Sequence, residues 1–150
     1  MIRYGTPQDG PAAVKCMQAA GMGAAWYRYE TMEGAALVDV DDETGALRGF
    51  VRYTLGRPET FIRQLVVHPD HQGDGVVMKE MLRRVIVLAE LYGSQGIEAF
   101  CPESKRGVAE MFVKAGAVLD AGQRVQWLLT SKAKEANQAW RERAGREALR

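Results

Sequence analysis

At 150 residues, with 47% hydrophobic and 26% charged side chains, the chain has the size and make-up of one globular domain around one core. A formal net charge of +1 excludes a generally basic nucleic-acid binder, and no apolar run reaches the length of a membrane span. Its two cysteines, Cys16 and Cys101, lie far apart and argue for a reducing, cytoplasmic setting over a disulfide scaffold.

Ile2 to Tyr4 is strand-capable. Thr6 and Asp9 can cap a helix whose first turn accepts Pro7 and Pro11. That helix is predicted to run to about Ala20, with Ala13, Val14, Met17 and Ala20 inward. Gly21 and Gly23 stop it. Ala24 to Tyr29 reads as a second short helix bearing Trp26, Tyr27 and Tyr29. Ala35 to Asp41 reads as a strand, Asp42 to Gly45 as a turn, and Leu47 to Leu55 as a strand pairing back as an antiparallel hairpin.

After Gly56-Arg57-Pro58, Phe61 to Val67 forms a third strand, ending in the apolar run Leu65-Val66-Val67. Pro69 ends it. The polar loop His71-Gln72-Gly73-Asp74-Gly75 follows, and from Val76 the apolar period becomes helical. Val77, Met78, Met81, Leu82, Val85, Leu88, Ala89 and Tyr92 share one face; Lys79, Glu80, Arg83, Arg84 and Glu90 share the other. Glycines that lead into a helix N-terminus let an anion reach its unpaired amides and the positive end of its dipole. The same residues also make an ordinary tight turn with no ligand, so two readings stand at this point.

Gly93 suits a helix C-cap. Ile97 to Cys101 reads as a short buried strand, parallel to Phe61–Val67 by the strand-helix-strand rule. Ser104 can cap a further helix with Val108, Met111, Phe112 and Ala115 on one face, stopped by Gly116. Ala117 to Leu119 and Arg124 to Leu129 read as a final hairpin. Residues 131–150 carry six basic and three acidic side chains on a helical pattern whose apolar stripe is small apart from Trp140. They read as a charged extension, either docked on the domain or forming a homodimer contact through Trp140. The interleaved Glu135, Glu142 and Glu147 argue against nucleic acid.

The sequence of elements, and four local signatures within it, resembles the GNAT acyltransferase superfamily over about residues 1–130. Gly49-Phe50-Val51 is similar to the family's "GF" strand, and Leu65-Val66-Val67-His68-Pro69 to the strand entering its cofactor site. Gln72-Gly73-Asp74-Gly75-Val76-Val77 is similar to its pyrophosphate loop, Gln/Arg-x-x-Gly-x-Gly/Ala. Gly116-Ala117 is similar to the "GF" pair that ends its fourth helix. The resemblance implies an α/β (α+β) fold: a mixed, mostly antiparallel sheet with helices on both faces, here with a C-terminal helix added. It implies acetyl-CoA as co-substrate and transfer of its acyl group, by direct attack, to an amine of a small molecule or peptide. The backbone of Val66 and Val67 would take the pantetheine arm. The amides of Gln72, Gly73, Asp74, Gly75, Val76 and Val77 would take the pyrophosphate.

Three departures stand beside this. Val77 replaces the usual Gly or Ala. Asp74 puts a like charge in the anion loop, costing ~1 kcal/mol in water and ~4 at a partly shielded site, unless it turns outward or caps the helix. Phe112, Arg63 and Lys105 stand where the family often has Tyr, Glu and Asn. Cys101, at the end of its strand, is the remaining catalytic candidate, with a small buried hydrophobe as the other reading. His68 and His71 lack the ligand company for a metal site, and none is expected. A catalytically degenerate CoA-binding or protein-interaction module is the alternative function.

Overall fold

The structure is a computed structural model and describes residues 1–21, 36–73, 75–100, 110, 112–113, 117–119 and 124–128. It separates into two compact units, Met1–Thr54 with Arg63–Val87, and Leu55–Ile62 with Leu88–Arg150. Strand β4 contributes residues to both.

In the first unit, strand β1 (Ile2–Tyr4) pairs antiparallel with β2 (Ala36–Val40), in the register Ile2↔Asp39. Strand β2 pairs antiparallel with β3 (Leu47–Thr54), Val38 opposite Phe50. The hairpin is the predicted one. Its turn forms because the Asp41 carboxylate accepts from the amides of Glu43 and Thr44, both at 2.9 Å, and Gly45 takes the left-handed φ of 72°. Beside β3 runs β4 (Glu59–Val67), where burial alternates along the strand.

Helix α1 (Gly10–Ala19) follows a 3₁₀ turn at Pro7–Asp9. Asp9 organises its start. Its carboxylate accepts the Thr6 amide at 2.8 Å and a fork from Arg3 at 2.8 and 2.9 Å. That guanidinium is the main reason the Asp9 carboxyl is held below its ordinary range. Ala13, Cys16 and Met17 of α1 pack with Ala36, Val38, Val40, Phe50 and Val66 into one buried cluster. Val14 and Ala20, expected inward, are only partly buried at its rim. Burial pushes the Cys16 thiol up to about 11.

Helix α2 (Val76–Tyr92) serves the opposite face. Successive strand residues point to opposite sides, so Gly49 faces away from Phe50, and there it meets Val77 and Met81. Val77, Met78, Met81, Leu82 and Val85 are buried, while Lys79, Arg83 and Arg84 are exposed. Helices thus lie on both faces of the sheet in this unit, as expected.

In the second unit, Glu59–Ile62 of β4 pairs in parallel with β5 (Gly96–Phe100), in the register Glu59↔Gly96 to Ile62↔Ala99. The predicted parallel pair is present, with β5 beginning one residue earlier than expected. Strand β7 (Arg124–Leu128) pairs antiparallel with β5 and with β6 (Val118–Leu119). A polar cluster joins the turn before β4 to the end of α2. The buried Ser94 hydroxyl donates to the Gly56 carbonyl at 2.6 Å and lies 2.7 Å from the Thr60 hydroxyl. Arg57 donates through Nε to the Tyr92 carbonyl at 2.9 Å and stacks on the Tyr92 ring at 4.9 Å. Tyr92, expected on the inward face of α2, is instead 42% exposed. An amphipathic ring at a helix end keeps its polar edge wet while a guanidinium covers its face.

The short helix at 24–29, most of the helix after Ser104, Asp74, Cys101, Lys105 and the extension 131–150 lie outside the described residues.

Candidate functional site

The carboxyl end of β4 and the start of α2 are joined by a chain of local bonds. Pro69, which has no amide to donate to a ladder, begins a 3₁₀ turn at Pro69–His71. The His68 ring caps it, Nδ1 accepting the Asp70 amide at 3.2 Å. The His68 amide donates to the Arg48 carbonyl of β3 at 2.8 Å, holding the strand end in place. His68 and His71 stand edge to face at 6.2 Å. Among the described residues no group of three His, Cys, Asp or Glu side chains could hold a metal.

From there the loop closes on itself. Gln72 donates its side-chain amide to the Val67 carbonyl at 2.8 Å. The Gly75 amide donates to the Gln72 carbonyl at 3.1 Å, with Gly75 at φ 71°. The first helical bond runs from the Lys79 amide to the Gly75 carbonyl at 3.0 Å. The amides of Val77 and Met78 come before that bond in the chain, at the positive end of a 17-residue dipole. Of the six loop amides named from the sequence, those of Gln72 and Gly75 bond to carbonyls of their own turn, Gln72 to Pro69 at 3.4 Å. Gly73 is open: a Cβ there would meet nothing within 4 Å. Backbone approach by a bulky anion needs such a bare surface.

Val77 does not project into this loop. Its side chain is 7% exposed, and its Cγ1 would lie 3.3 Å from a Cβ on Gly49. The branched residue in place of Gly or Ala is absorbed by the packing of α2 on β3. Gly49 itself is required on steric grounds, because a Cβ would come within 2.7 Å of the Val66 carbonyl oxygen. Val66 has its side chain in the core, at 2% exposure, and Val67 is half-buried. Two residues earlier on the same face, buried Gln64 accepts from Arg52 at 3.4 Å and donates to the Met17 sulfur at 3.6 Å.

The residues at the expected acid and base positions are placed as follows. Phe112 is buried at 3% exposure, with no ionisable group. Arg63 is exposed and donates to the Thr54 hydroxyl at 3.2 Å. The structure brings Val66, Val67, Gln72, Gly73, Gly75, Val76 and Val77 into one strand-loop-helix junction. Sequence reasoning missed two roles there: the Gln72 side chain as a donor to Val67, and Gly49 as the floor under Val66. The first had a signal, a long amide side chain five residues beyond a strand-end carbonyl. The second had none without knowing which strand lies against β3.

A model of the acetyltransferase (GNAT) family matches residues 12–117. No curated protein matches the chain by sequence. Among solved structures, the chain is similar to Ard1 from Thermoplasma volcanium, with a TM-score of 0.72, 14% identity, and 87% of this chain and 98% of that one covered. It is similar to yncA from Salmonella typhimurium, solved with its cofactor acetyl-CoA, with a TM-score of 0.64, 18% identity, and 87% and 94% covered. It is also similar to the diaminobutyrate acetyltransferase EctA from Paenibacillus lautus, solved with L-2,4-diaminobutyric acid and coenzyme A. There the TM-score is 0.66, the identity 16%, and the cover 80% and 81%.

Proposed function

The chain belongs to the acetyltransferase (GNAT) family, and from that premise we propose that it transfers the acetyl group of acetyl-CoA to an amine of a small molecule or peptide. The observation that carries this is the junction of β4 and α2. Open Gly73 leads into the N-terminus of a 17-residue helix, a backbone arrangement suited to a pyrophosphate. The chemistry of the loop fits the group, since Val77 is buried away from it. In this reading the amides of Gly73, Val77 and Met78 hold the pyrophosphate, and the backbone of Val67, on the edge of β4 away from β3, takes the pantetheine arm as an added strand would.

Bound acetyl-CoA supplies an acyl carbonyl already activated as a thioester. The chain supplies position: a backbone amide near Val66 to meet developing negative charge, and a strand edge that holds the arm straight. Phe112 has no proton to give a departing thiolate, and the guanidinium of Arg63 takes none from an ammonium. The reaction then runs on positioning, with water carrying protons, at a cost of roughly 10²–10⁴ in rate against an enzyme with a placed acid or base. The same reading keeps 1–130 as the acyl-transfer domain, 131–150 as an extension that can pair two copies, and a cytoplasmic location.

The second reading, a CoA-binding module without turnover, draws on the same Phe112 and Arg63. One experiment separates them. Acetyl-CoA is titrated into the full chain, and thiol release is then followed with a panel of diamines, amino acids and peptide N-termini. Binding with amine-dependent thiol release supports transfer. Binding without release across the panel supports the module. No binding at millimolar acetyl-CoA overturns both.

A further inference from the structure

We propose that Gln72 is a positioning residue for the pantetheine arm and not a ligand of the phosphates: its side chain sets the edge of β4 while its backbone serves the loop. This rests on the acyl-CoA reading above and deepens it.

In a β-strand the N–H and C=O of one residue point to the same edge, and those of the next residue to the opposite edge. The His68 amide points to β3, where it meets the Arg48 carbonyl at 2.8 Å. The N–H and C=O of Val67 therefore face the other edge of β4. That is the edge along which an extended arm would be laid. The last carbonyl on that edge is the one Gln72 holds, Nε2 to oxygen at 2.8 Å, within the range of a well-formed N–H···O bond.

The Val67 carbonyl shares its peptide plane with the His68 amide, so Gln72 on one side and Arg48 on the other hold that plane and fix the strand end next to the plane that offers the Val67 amide. The carboxamide of Gln72 is also committed to the strand, so it is turned away from duty toward an anion at Gly73 and the helix start. The side chain is exposed to solvent and its bond spans five residues. The fold has little stake in it, and its worth lies in the shape of the edge.

The test uses three variants of the full chain and two ligands. Coenzyme A carries both pyrophosphate and pantetheine; adenosine 3′-phosphate 5′-diphosphate carries the pyrophosphate alone. Gln72→Ala should weaken coenzyme A about 3–10-fold, the worth of one hydrogen bond, and leave the diphosphate within about twofold. Gln72→Glu sets an acceptor against a carbonyl and should be as weak as Gln72→Ala or weaker for coenzyme A. Gln72→Arg keeps a donor and should return coenzyme A to within about threefold of wild type. Thermal unfolding of all three should match wild type, which separates positioning from stability. Equal affinity of Gln72→Ala and wild type for coenzyme A overturns the proposal, as does an equal loss of both ligands, which marks a phosphate contact. Failure of wild type itself to bind coenzyme A overturns the acyl-CoA reading instead, so the two failures are distinct.

Discussion

Replacing Gly49 with alanine adds one methyl group where β3, β4 and α2 meet. The new Cβ would stand 2.7 Å from the Val66 carbonyl oxygen, 3.1 Å from Met81 Cε and 3.3 Å from Val77 Cγ1. The last two are ends of side chains and can give way. The first is backbone, and real Cβ atoms essentially never approach an atom within 3.0 Å, so strand β4 itself must shift. Overpacking of this kind costs about 1–3 kcal/mol. Alanine returns roughly 0.5–1 kcal/mol of the entropy that glycine spends in a strand. Central values leave a net loss of about 1.2 kcal/mol, or a fall in Tm of about 2–5 °C for a chain of this size. Urea unfolding should show a lower midpoint at an unchanged slope, and the displaced Val66 carbonyl should weaken coenzyme A. Gly73→Ala is the control, for its Cβ meets nothing and stability should stay within about 0.5 kcal/mol. Two results would refute the reasoning. One is a Gly49→Ala protein as stable as wild type. The other is full recovery on adding Val77→Ala, which would put the conflict in a side chain and not in the strand.

The polar contacts give two further outcomes. Arg3→Ala should cost about 0.5–1.5 kcal/mol at pH 7, for a partly exposed fork on Asp9. The Asp9 carboxyl is held below its ordinary value mainly by Arg3. The stabilisation is therefore complete above the unfolded value near ~3.9 and disappears as pH falls through the folded one. Unfolding curves of both proteins from pH 7 to 2 should converge at the acid end, and a constant gap would contradict this. Ser94→Ala removes a buried hydroxyl that serves Gly56 and Thr60, leaving the Gly56 carbonyl short of a donor. The expected loss is about 1–3 kcal/mol by urea unfolding, and a change under ~0.3 would show that water replaces the hydroxyl at no cost.

Much of the fold is legible in the amino-acid sequence alone. The change from strand period to helical period at Val76, the punctuation by Pro69 and Gly93, and the turn chemistry at Asp41–Gly45 are local, and local signals survive in a sequence. The parallel pairing of β4 and β5 follows from chain connectivity. What is not legible depends on which strand lies against which helix. The sequence shows Val77 as a bulky departure in a glycine loop; only the packing of α2 on β3 turns that side chain into the core. Tyr92 fits the apolar period of α2, yet it is 42% exposed and stacked under Arg57, thirty-five positions away. A donor bond from Gln72 to Val67 needs the loop's actual path, which glycine spacing alone does not specify.

The sealed position of Cys16 turns a core residue into a clock. The residue is 2% exposed, and burial holds its thiol protonated well past neutral pH. Because a thiolate is the reacting species, alkylation requires α1 to leave the sheet for an instant. The rate of labelling on the Cys16 peptide, divided by that of a free thiol, counts those departures directly. Any ligand that steadies β4 through Val66, a neighbour of Cys16 in the same cluster, would slow that count without touching the sulfur.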